Sequence, residues 1–253
     1  MSSNLFIGKH LIRLAEIDST NNYARQLVRD KMPIEGTVVL TDSQTEGRGQ
    51  RSNSWFSKPG LNLTCSYILR PAFLSAANQF ALSATVALSV YQTVLSFSAD
   101  EEVTIKWPND ILVGRKKIAG ILIENTLRKS NLDTSIIGIG LNVNQQGFDS
   151  TLNATSLNEV LQQELELEDV LNLLNENLEK NYLRLRSGGN AEILAQFNQH
   201  LFGAGRKIEL AINDELLVVK VLGAAKTGEL ELEHSDGRRT RHQHHEINWK
   251  LKS

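Results

Sequence analysis

Residues 103–143 read VTIKWPNDILVGRKKIAGILIENTLRKSNLDTSIIGIGLNV. Three short apolar segments here predict β-strands, at 103–107, 118–123 and 136–143, and polar, glycine-bearing turns separate them. Helical patterns precede and follow this stretch without strict strand–helix alternation. The sequence therefore predicts an α+β fold, a mixed β-sheet with helices packed on one face.

The last of these strands has two very different faces. Ile137, Ile139, Leu141 and Val143 alternate with Gly138, Gly140, Asn142 and Asn144. A face made only of glycine and asparagine builds no core, and it leaves room for another group against the backbone.

The remaining pattern divides the chain in two. Helices are predicted at 19–30, 76–97, 168–186 and 190–201, and strands at 37–41 and 61–69. The alternation in 61–69 predicts a half-buried strand, and Ser19 or Thr20 is the expected N-cap of the first helix. Gly203 and Gly205 mark a predicted boundary between a catalytic domain, 1–202, and a C-terminal domain, 203–253. About five short strands after residue 206 predict a small SH3-like β-barrel.

Composition excludes several classes of protein. The 253 residues are 41% apolar and 22% charged, which is typical of a globular chain. Lys and Arg number 27 against 29 Asp and Glu, a balance that disfavours a protein whose main work is to neutralise nucleic-acid phosphate. The single cysteine, Cys65, points to a reducing compartment. No membrane span or signal peptide is read, so a cytoplasmic location is expected.

Three segments combine glycine or a turn with positive charge. Residues 47–55, GRGQRSNSW, place glycines at alternate positions beside two arginines, which favours an anion-binding backbone or, more simply, a hairpin tip with solvated arginines. Residues 106–110, KWPND, end a strand, and Lys106 and Trp107 must point to opposite sides of it. Residues 115–120, RKKIAG, run from a basic triplet into an apolar strand.

Together these segments resemble the biotin protein ligases. The matching residues are Asp18-Ser19-Thr20-Asn21, Gln44, Gly47-Arg48-Gly49, Trp55, Lys106-Trp107-Pro108-Asn109-Asp110, Lys117 with Ala119-Gly120, and Gly138-x-Gly140-Leu141-Asn142. The resemblance implies an enzyme that joins biotin to ATP, releases pyrophosphate, and passes the biotinyl group from biotinyl-5′-AMP to a lysine of a biotin carboxyl carrier protein. Such chemistry needs positioning and charge neutralisation rather than a covalent nucleophile.

The resemblance also assigns residues. Lys117, Arg48 and Asp110 are the expected catalytic residues. Biotin is expected to contact Ser19, Thr20, Asn21, Gln44, Gly47, Arg48, Gly49, Gln50, Lys117 and Gly120. ATP is expected to contact Arg48, Arg51, Trp55, Lys106, Asn109, Lys117 and Asn142. Mg²⁺ is implied with ATP, held chiefly by phosphates and by at most one carboxylate, and no metal site made of protein ligands alone is expected. Two roles are open for Asp110: it could bind the metal, or it could act as a base or orienter for the carrier lysine.

The sequence departs from the common family pattern at two places. Gln50 and Ser52 stand where many members have arginine and glycine, and His244-His245 stands where a pair of small residues is expected. His242 and His244 form a conceivable metal pair, while the surrounding arginines favour a solvated edge strand or a contact with ATP or the carrier.

Two other functions compete with biotin ligation. A lipoate or octanoate ligase of related fold would modify a similar carrier, but the Gly-Arg-Gly and Lys-Trp-Pro-Asn-Asp segments favour biotin. Some family members also repress transcription through an N-terminal DNA-binding domain. Because Asp18 lies so close to the first residue, DNA is not an expected partner. A membrane is not an expected partner either, because no membrane span is read. An open sheet edge makes a homodimer conceivable.

Overall fold

A computed structural model describes residues 4–50, 53–98 and 101–249. Its larger sheet has seven strands in the order β1-β2-β3-β7-β6-β5-β4. Their bounds are β1 Leu11–Ile17, β2 Thr37–Gln44, β3 Leu63–Leu69, β4 Val103–Lys106, β5 Asp110–Val113, β6 Lys116–Arg128 and β7 Asn131–Leu141. β1 pairs with β2 in parallel, and every other neighbouring pair is antiparallel. The predicted mixed sheet is thus confirmed.

Five helices accompany this sheet in the described residues. They are α1 Thr20–Lys31, α2 Phe80–Phe97, α3 Leu157–Leu161, α4 Leu167–Arg186 and α5 Asn190–Gln199. Helices α2, α4 and α5 cover one face and share the main core with β3, β6 and β7. The prediction that helices pack on one face of the sheet holds for these three helices. Helix α1, in contrast, lies on the opposite face.

The position of α1 corrects the prediction for 61–69. Ala24 of α1 packs with Val39, Ile68 and Ile136 in a second, smaller cluster. All seven residues of β3 are consequently buried, so the prediction of a half-buried strand was wrong. Alternation arises here because one face meets apolar core while the other meets the polar start of α1.

Helix α2 is the centre of the main core. Together with the turn before it, α2 is the one described segment long and apolar enough to cross a membrane, yet 72% of its most apolar window is buried inside the protein. Its serine and threonine hydroxyls are satisfied locally, as when Thr85 Oγ1 donates to the carbonyl of Ala81 at 2.7 Å. We therefore interpret α2 as a core helix.

The C-terminal residues form a separate five-stranded antiparallel sheet, in the order β11-β10-β9-β8-β12. Its strands are β8 Lys207–Ile212, β9 Glu215–Ala224, β10 Leu230–Glu233, β11 Arg239–His242 and β12 Ile247–Trp249. Asn213 and Asp214 adopt positive φ in the β8–β9 turn, as that turn type requires. The five predicted strands are confirmed. The proposed boundary near Gly203 stays a prediction, because both sheets contribute to one continuous core.

Trp107 joins the two sheets. It is almost fully buried, and its indole Nε1 donates to the carbonyl of Gly228 at 2.9 Å. Lys106, on the other side of the strand, lines a cavity. The predicted opposition of these two side chains is confirmed, and it fixes one wall of the candidate site.

Candidate active site

One cavity brings together most of the residues selected from the sequence. It lies between the start of α1, the side of β6 and β7 that carries Gly120, Gly138 and Gly140, and the glycine segment 47–50. The predicted site residues that line it are Ser19, Thr20, Asn21, Gln44, Arg48, Gly49, Gln50, Trp55, Lys106, Asn109, Asp110, Lys117 and Gly120. These residues span about a hundred positions of sequence, so the fold rather than local spacing assembles the site.

The floor of the cavity is nearly bare backbone. A Cβ on Gly138 would lie 2.5 Å from Asn21 Oδ1, and one on Gly140 would lie 2.2 Å from the Trp55 ring. The glycine face predicted from the sequence therefore lets the side chains of Asn21 and Trp55 pack directly against the backbone of β7. Cys65 also borders the floor, but burial raises the pKa of its thiol to about 12, so it carries no thiolate nucleophile.

A buried polar network closes one end of the cavity. Gln44 Oε1 accepts hydrogen bonds from Thr20 N at 2.8 Å and Thr20 Oγ1 at 3.1 Å. Ser66 Oγ bonds to Thr20 Oγ1 at 2.8 Å and to Asn21 Oδ1 at 2.6 Å. Asn21 Nδ2 then donates to Glu124 Oε2 at 2.9 Å. These bonds orient hydroxyl and amide groups at the N-terminus of α1, where backbone N–H groups favour an acceptor.

Residues 47–49 of the glycine segment pair with residues 53–55 beside this polar end. Trp55 N donates to Gly47 O at 2.9 Å, and Gly49 N donates to Asn53 O at 2.7 Å. A Cβ on Gly47 would lie 2.2 Å from the carbonyl oxygen of Trp55, so this close approach requires glycine. Gly47 itself borders an adjoining depression rather than the main cavity, and Arg51 lies outside the described residues.

Charged groups gather at the other end of the cavity. Asp110 accepts from Lys117 Nζ at 2.7 Å and from Lys106 Nζ at 2.8 Å. Burial alone would raise the pKa of the Asp110 carboxyl, but the ammonium groups of Lys117 and Lys106 outweigh burial and hold that pKa below its ordinary value. Lys117 Nζ also lies 5.6 Å from the centre of the Trp55 ring. The cluster carries one net positive charge facing the cavity.

The structure does not bring the Arg48 guanidinium to this cluster. Arg48 Nη1 donates to Asn22 Oδ1 at 2.7 Å, and Nη2 donates to Glu124 Oε1 at 2.9 Å. Gly120, which borders Lys117, and Glu124 are four residues apart on β6, which corresponds to about 13 Å. Arg48 therefore belongs to the polar end and Lys117 to the charged end.

Asn142 is also placed differently from its expected position near the nucleotide. Its side chain is buried outside the cavity lining, and Nδ2 donates to the carbonyl of Thr155 at 2.9 Å. The Thr155 N–H in turn donates to the carbonyl of Lys117 at 2.9 Å. Asn142 thus braces the backbone beside Lys117. Asn109 lines the cavity while its Nδ2 donates to Ile121 O at 2.7 Å.

Sequence reasoning missed two residues at the site, Ser66 and Glu124, which complete the polar network. His244, for which a contact with ATP or the carrier was among the predicted alternatives, lines the cavity from the turn between β11 and β12. His242 ends β11 whereas His244 begins a 3₁₀ turn, so the two do not share a strand face. The described residues contain no group of three His, Cys, Asp or Glu side chains placed to hold a metal ion.

We expect Asp110→Asn to lower the free energy of unfolding at pH 7 and to make that free energy less dependent on pH. Because the pKa of Asp110 is lowered in the folded state, its stabilisation is present above its ordinary pKa and is lost as the pH falls through the lower folded-state value. At pH 7 the variant should lose about 1–3 kcal/mol of unfolding free energy, since two partly buried ammonium groups lose their acceptor. Urea unfolding between pH 7 and pH 3 measures both effects. An unfolding free energy equal to wild type at pH 7 would contradict this interpretation.

Comparison with known proteins identifies the class to which this fold and site belong. Residues 14–142 match the biotin/lipoate A/B protein ligase family, and the chain belongs to that family. It is 35% identical over 236 residues to the bifunctional ligase/repressor BirA of Bacillus subtilis, an alignment that covers 91% of this chain and 71% of the relative. It is 36% identical over 134 residues to a biotin–[acetyl-CoA-carboxylase] ligase of Paracoccus denitrificans, covering 51% and 53% of the two chains.

A solved structure extends the similarity to the C-terminal sheet. The biotin protein ligase of Aquifex aeolicus, in complex with biotin and ATP, superposes with a TM-score of 0.79 at 26% identity. The superposition covers 95% of this chain and 98% of the Aquifex chain. The α+β fold with an additional small β-sheet is therefore the fold of this family.

Proposed function

We propose that this chain is a biotin protein ligase, which activates biotin as biotinyl-5′-AMP and transfers it to a lysine of a biotin carboxyl carrier protein. The two-ended cavity carries this proposal. Biotin has an uncharged hydrogen-bonding ring, an apolar chain and a terminal carboxylate. The polar end at Thr20 and Asn21, the bare strand floor and the ammonium group of Lys117 occur in that same order.

Positioning and charge neutralisation would supply the catalysis. A carboxylate attacking the α-phosphate of ATP meets like-charge repulsion, and Lys117 lies where it can offset that repulsion. Lys106 supplies a second positive charge beside Lys117, because both lysines pair with Asp110. The bond formed joins a biotin carboxylate oxygen to the α-phosphorus, and the bond broken releases pyrophosphate.

Asp110 is better suited to orient lysine side chains than to accept a proton. Its two carboxylate oxygens each bind one ammonium group, and its lowered pKa makes it a weak base near neutral pH. We infer that Asp110 holds Lys117 at the charged end until the negatively charged substrates compete for that ammonium. The ATP contacts assigned to Arg48, Arg51 and Asn142 stay predictions.

Mg²⁺ fits this site only as an ion carried largely by the ATP phosphates. Asp110 is the one carboxylate among the described cavity residues at the charged end, and both of its oxygens are engaged by lysines. Bound Mg²⁺ would offset phosphate charge, in addition to the charge supplied by Lys106 and Lys117.

The carrier protein is proposed as the macromolecular partner, because the second half-reaction needs a lysine acceptor. The absence of DNA and membrane partners, a cytoplasmic location and a homodimer all stay predictions. Within the described residues β1 pairs with β2 alone and forms one edge of the larger sheet. This edge would suit strand addition by either a second copy or the carrier.

Pyrophosphate release separates this function from lipoate ligation. Purified protein should release pyrophosphate from ATP when biotin is added, and mass spectrometry should then detect biotin on a carrier domain. Release with lipoate or octanoate but not with biotin would replace the proposed substrate by the alternative one.

Gln50→Arg is expected to slow the loss of biotinyl-AMP. Gln50 lines the cavity but brings no charge, whereas an arginine would add a charge-assisted hydrogen bond to the phosphate. We expect the dissociation rate to fall about tenfold, measured by stopped-flow fluorescence. Gln50→Lys tests whether charge alone is sufficient. An unchanged or faster dissociation rate for Gln50→Arg would show that the position 50 side chain does not retain the adenylate.

A further inference from the structure

Glu124 binds three side chains beside the cavity, although no sequence motif includes it. Its Oε2 accepts from Asn21 Nδ2 at 2.9 Å, and its Oε1 accepts from Arg48 Nη2 at 2.9 Å and Arg25 Nη2 at 2.5 Å. One carboxylate therefore joins the polar end of the cavity to the glycine segment. The reaction itself requires no acid at this place, so the arrangement calls for a separate explanation.

The Arg48 contacts show what Glu124 holds. The Arg48 guanidinium has two partners, Asn22 on α1 and Glu124 on β6, and it spans the gap between helix and strand. The backbone at Arg48 lies within the pairing of Gly47 with Trp55 and of Gly49 with Asn53. Fixing this guanidinium consequently fixes the described glycine segment 47–50 beside the cavity.

Glu124 is the carboxylate that pairs directly with both arginines in this contact. Arg25 and Arg48 approach the same carboxylate oxygen, so without Glu124 two guanidinium groups would face each other and repel. Asn22 offers a neutral amide oxygen. The Asp18 carboxylate, whose pKa is lowered by its hydrogen bond to Asn22 and also by the Arg48 charge, offsets part of that repulsion. Asn21 Nδ2 would at the same time lose its shorter hydrogen bond, at 2.9 Å, and would keep the longer one to the carbonyl of Leu122 at 3.4 Å.

We propose that Glu124 is a positioning residue, which couples the biotin-ring end of the cavity to the glycine segment by holding Asn21 and Arg48 together. This inference rests on the proposed function and deepens it. Glu124 touches neither reacting atom. It acts through Arg48, so that occupancy of the polar end and retention of the adenylate depend on the same carboxylate.

A double-mutant cycle tests the coupling. Glu124→Gln should speed dissociation of biotinyl-AMP about tenfold, equivalent to about 1.4 kcal/mol, in protein that circular dichroism shows to be folded. When Glu124→Gln is added to Arg48→Gln, the dissociation rate should rise by less than about twofold, because the Arg48 side chain through which Glu124 acts is already absent. A structural role independent of Arg48 would instead give additive effects, which would overturn the proposal.

Two comparisons make the outcome decisive. Glu168→Gln removes a carboxylate that binds the exposed Arg13 at 2.7 Å, and neither residue lines the cavity. This variant should leave the dissociation rate unchanged. Should Glu124→Gln fail to fold, Glu124→Asp keeps the charge but is too short to reach Asn21 and Arg48 together, and the same cycle applies. Wild-type protein that forms no biotinyl-AMP would refute the proposed function. Normal wild-type adenylation with an unaltered Glu124→Gln dissociation rate would refute only this inference.

Discussion

Lys117→Ala should reduce biotin adenylation by about a thousandfold while the protein stays folded. Lys117 is the cation that faces both the glycine floor and the acidic partner Asp110, at 3.0 Å from the position of a Cβ on Gly120 and 2.7 Å from Asp110 Oδ1. Its charge would offset the repulsion between a carboxylate and the α-phosphate as the new bond forms. Alanine removes that charge but leaves Lys106 to pair with Asp110.

Pyrophosphate release at saturating biotin and ATP measures this effect. Lys116→Ala is the matched control, because Lys116 is the adjacent lysine of β6 and is exposed outside the cavity. The control should retain wild-type turnover. Circular dichroism and thermal unfolding verify that Lys117→Ala is folded. Turnover of Lys117→Ala near that of wild type would remove Lys117 from the catalytic role.

Gly140→Ala should weaken biotin binding about a hundredfold, equivalent to about 2.7 kcal/mol. A Cβ at this position would lie 2.2 Å from Trp55 Cε2, a distance that real contacts do not show. The indole must therefore move, and it lies between the strand floor and Lys117. The added methyl group also occupies the floor against which the apolar chain of biotin is proposed to lie.

Titration calorimetry with biotin tests this prediction without requiring catalysis. Ile137→Val changes the core-facing side of the same strand and should cost about 0.5–1.5 kcal/mol of stability without weakening biotin binding. This control separates a general loss of stability from a local change at the floor. Wild-type biotin affinity in Gly140→Ala would show that the ligand does not use this face of β7.

The sequence was most informative for elements whose backbone conformation depends on their own residue types. Asn213, Asp214, Gly228 and Gly237 adopt positive φ in the turns of the C-terminal sheet, and their residue types reveal that requirement directly. The glycine side of β7 was predicted for the same reason, since alternation alone separates Gly138 and Gly140 from Ile137 and Ile139. Local chemistry was sufficient wherever one residue type permits one conformation.

Elements defined by distant contacts were missed. β1 is an exposed edge strand that pairs in parallel with β2, and β5 has only four residues between a turn and Gly114, so neither has a distinctive local pattern. The half-buried assignment of 61–69 failed because α1, more than 30 positions earlier, covers its second face.

The same limit applies to the site. Glu124 resembles a solvated residue near the end of a strand, yet its partners Arg48 and Asn21 lie 76 and 103 positions away in the chain. Ser66 is one buried hydroxyl in an apolar strand, and only the folded chain sets it against Thr20 and Asn21. The separation of Arg48 from Lys117 likewise depends on distant partners, since Arg48 pairs with Glu124 and Lys117 pairs with Asp110.

A crystal structure with biotin and a non-hydrolysable ATP analogue would test the assignment of the two ends most directly. We expect the biotin ring against Thr20 and Asn21, and the Lys117 ammonium within hydrogen-bond distance of the biotin carboxylate or the α-phosphate. Both small molecules bound elsewhere, with Lys117 directed away from them, would contradict the account.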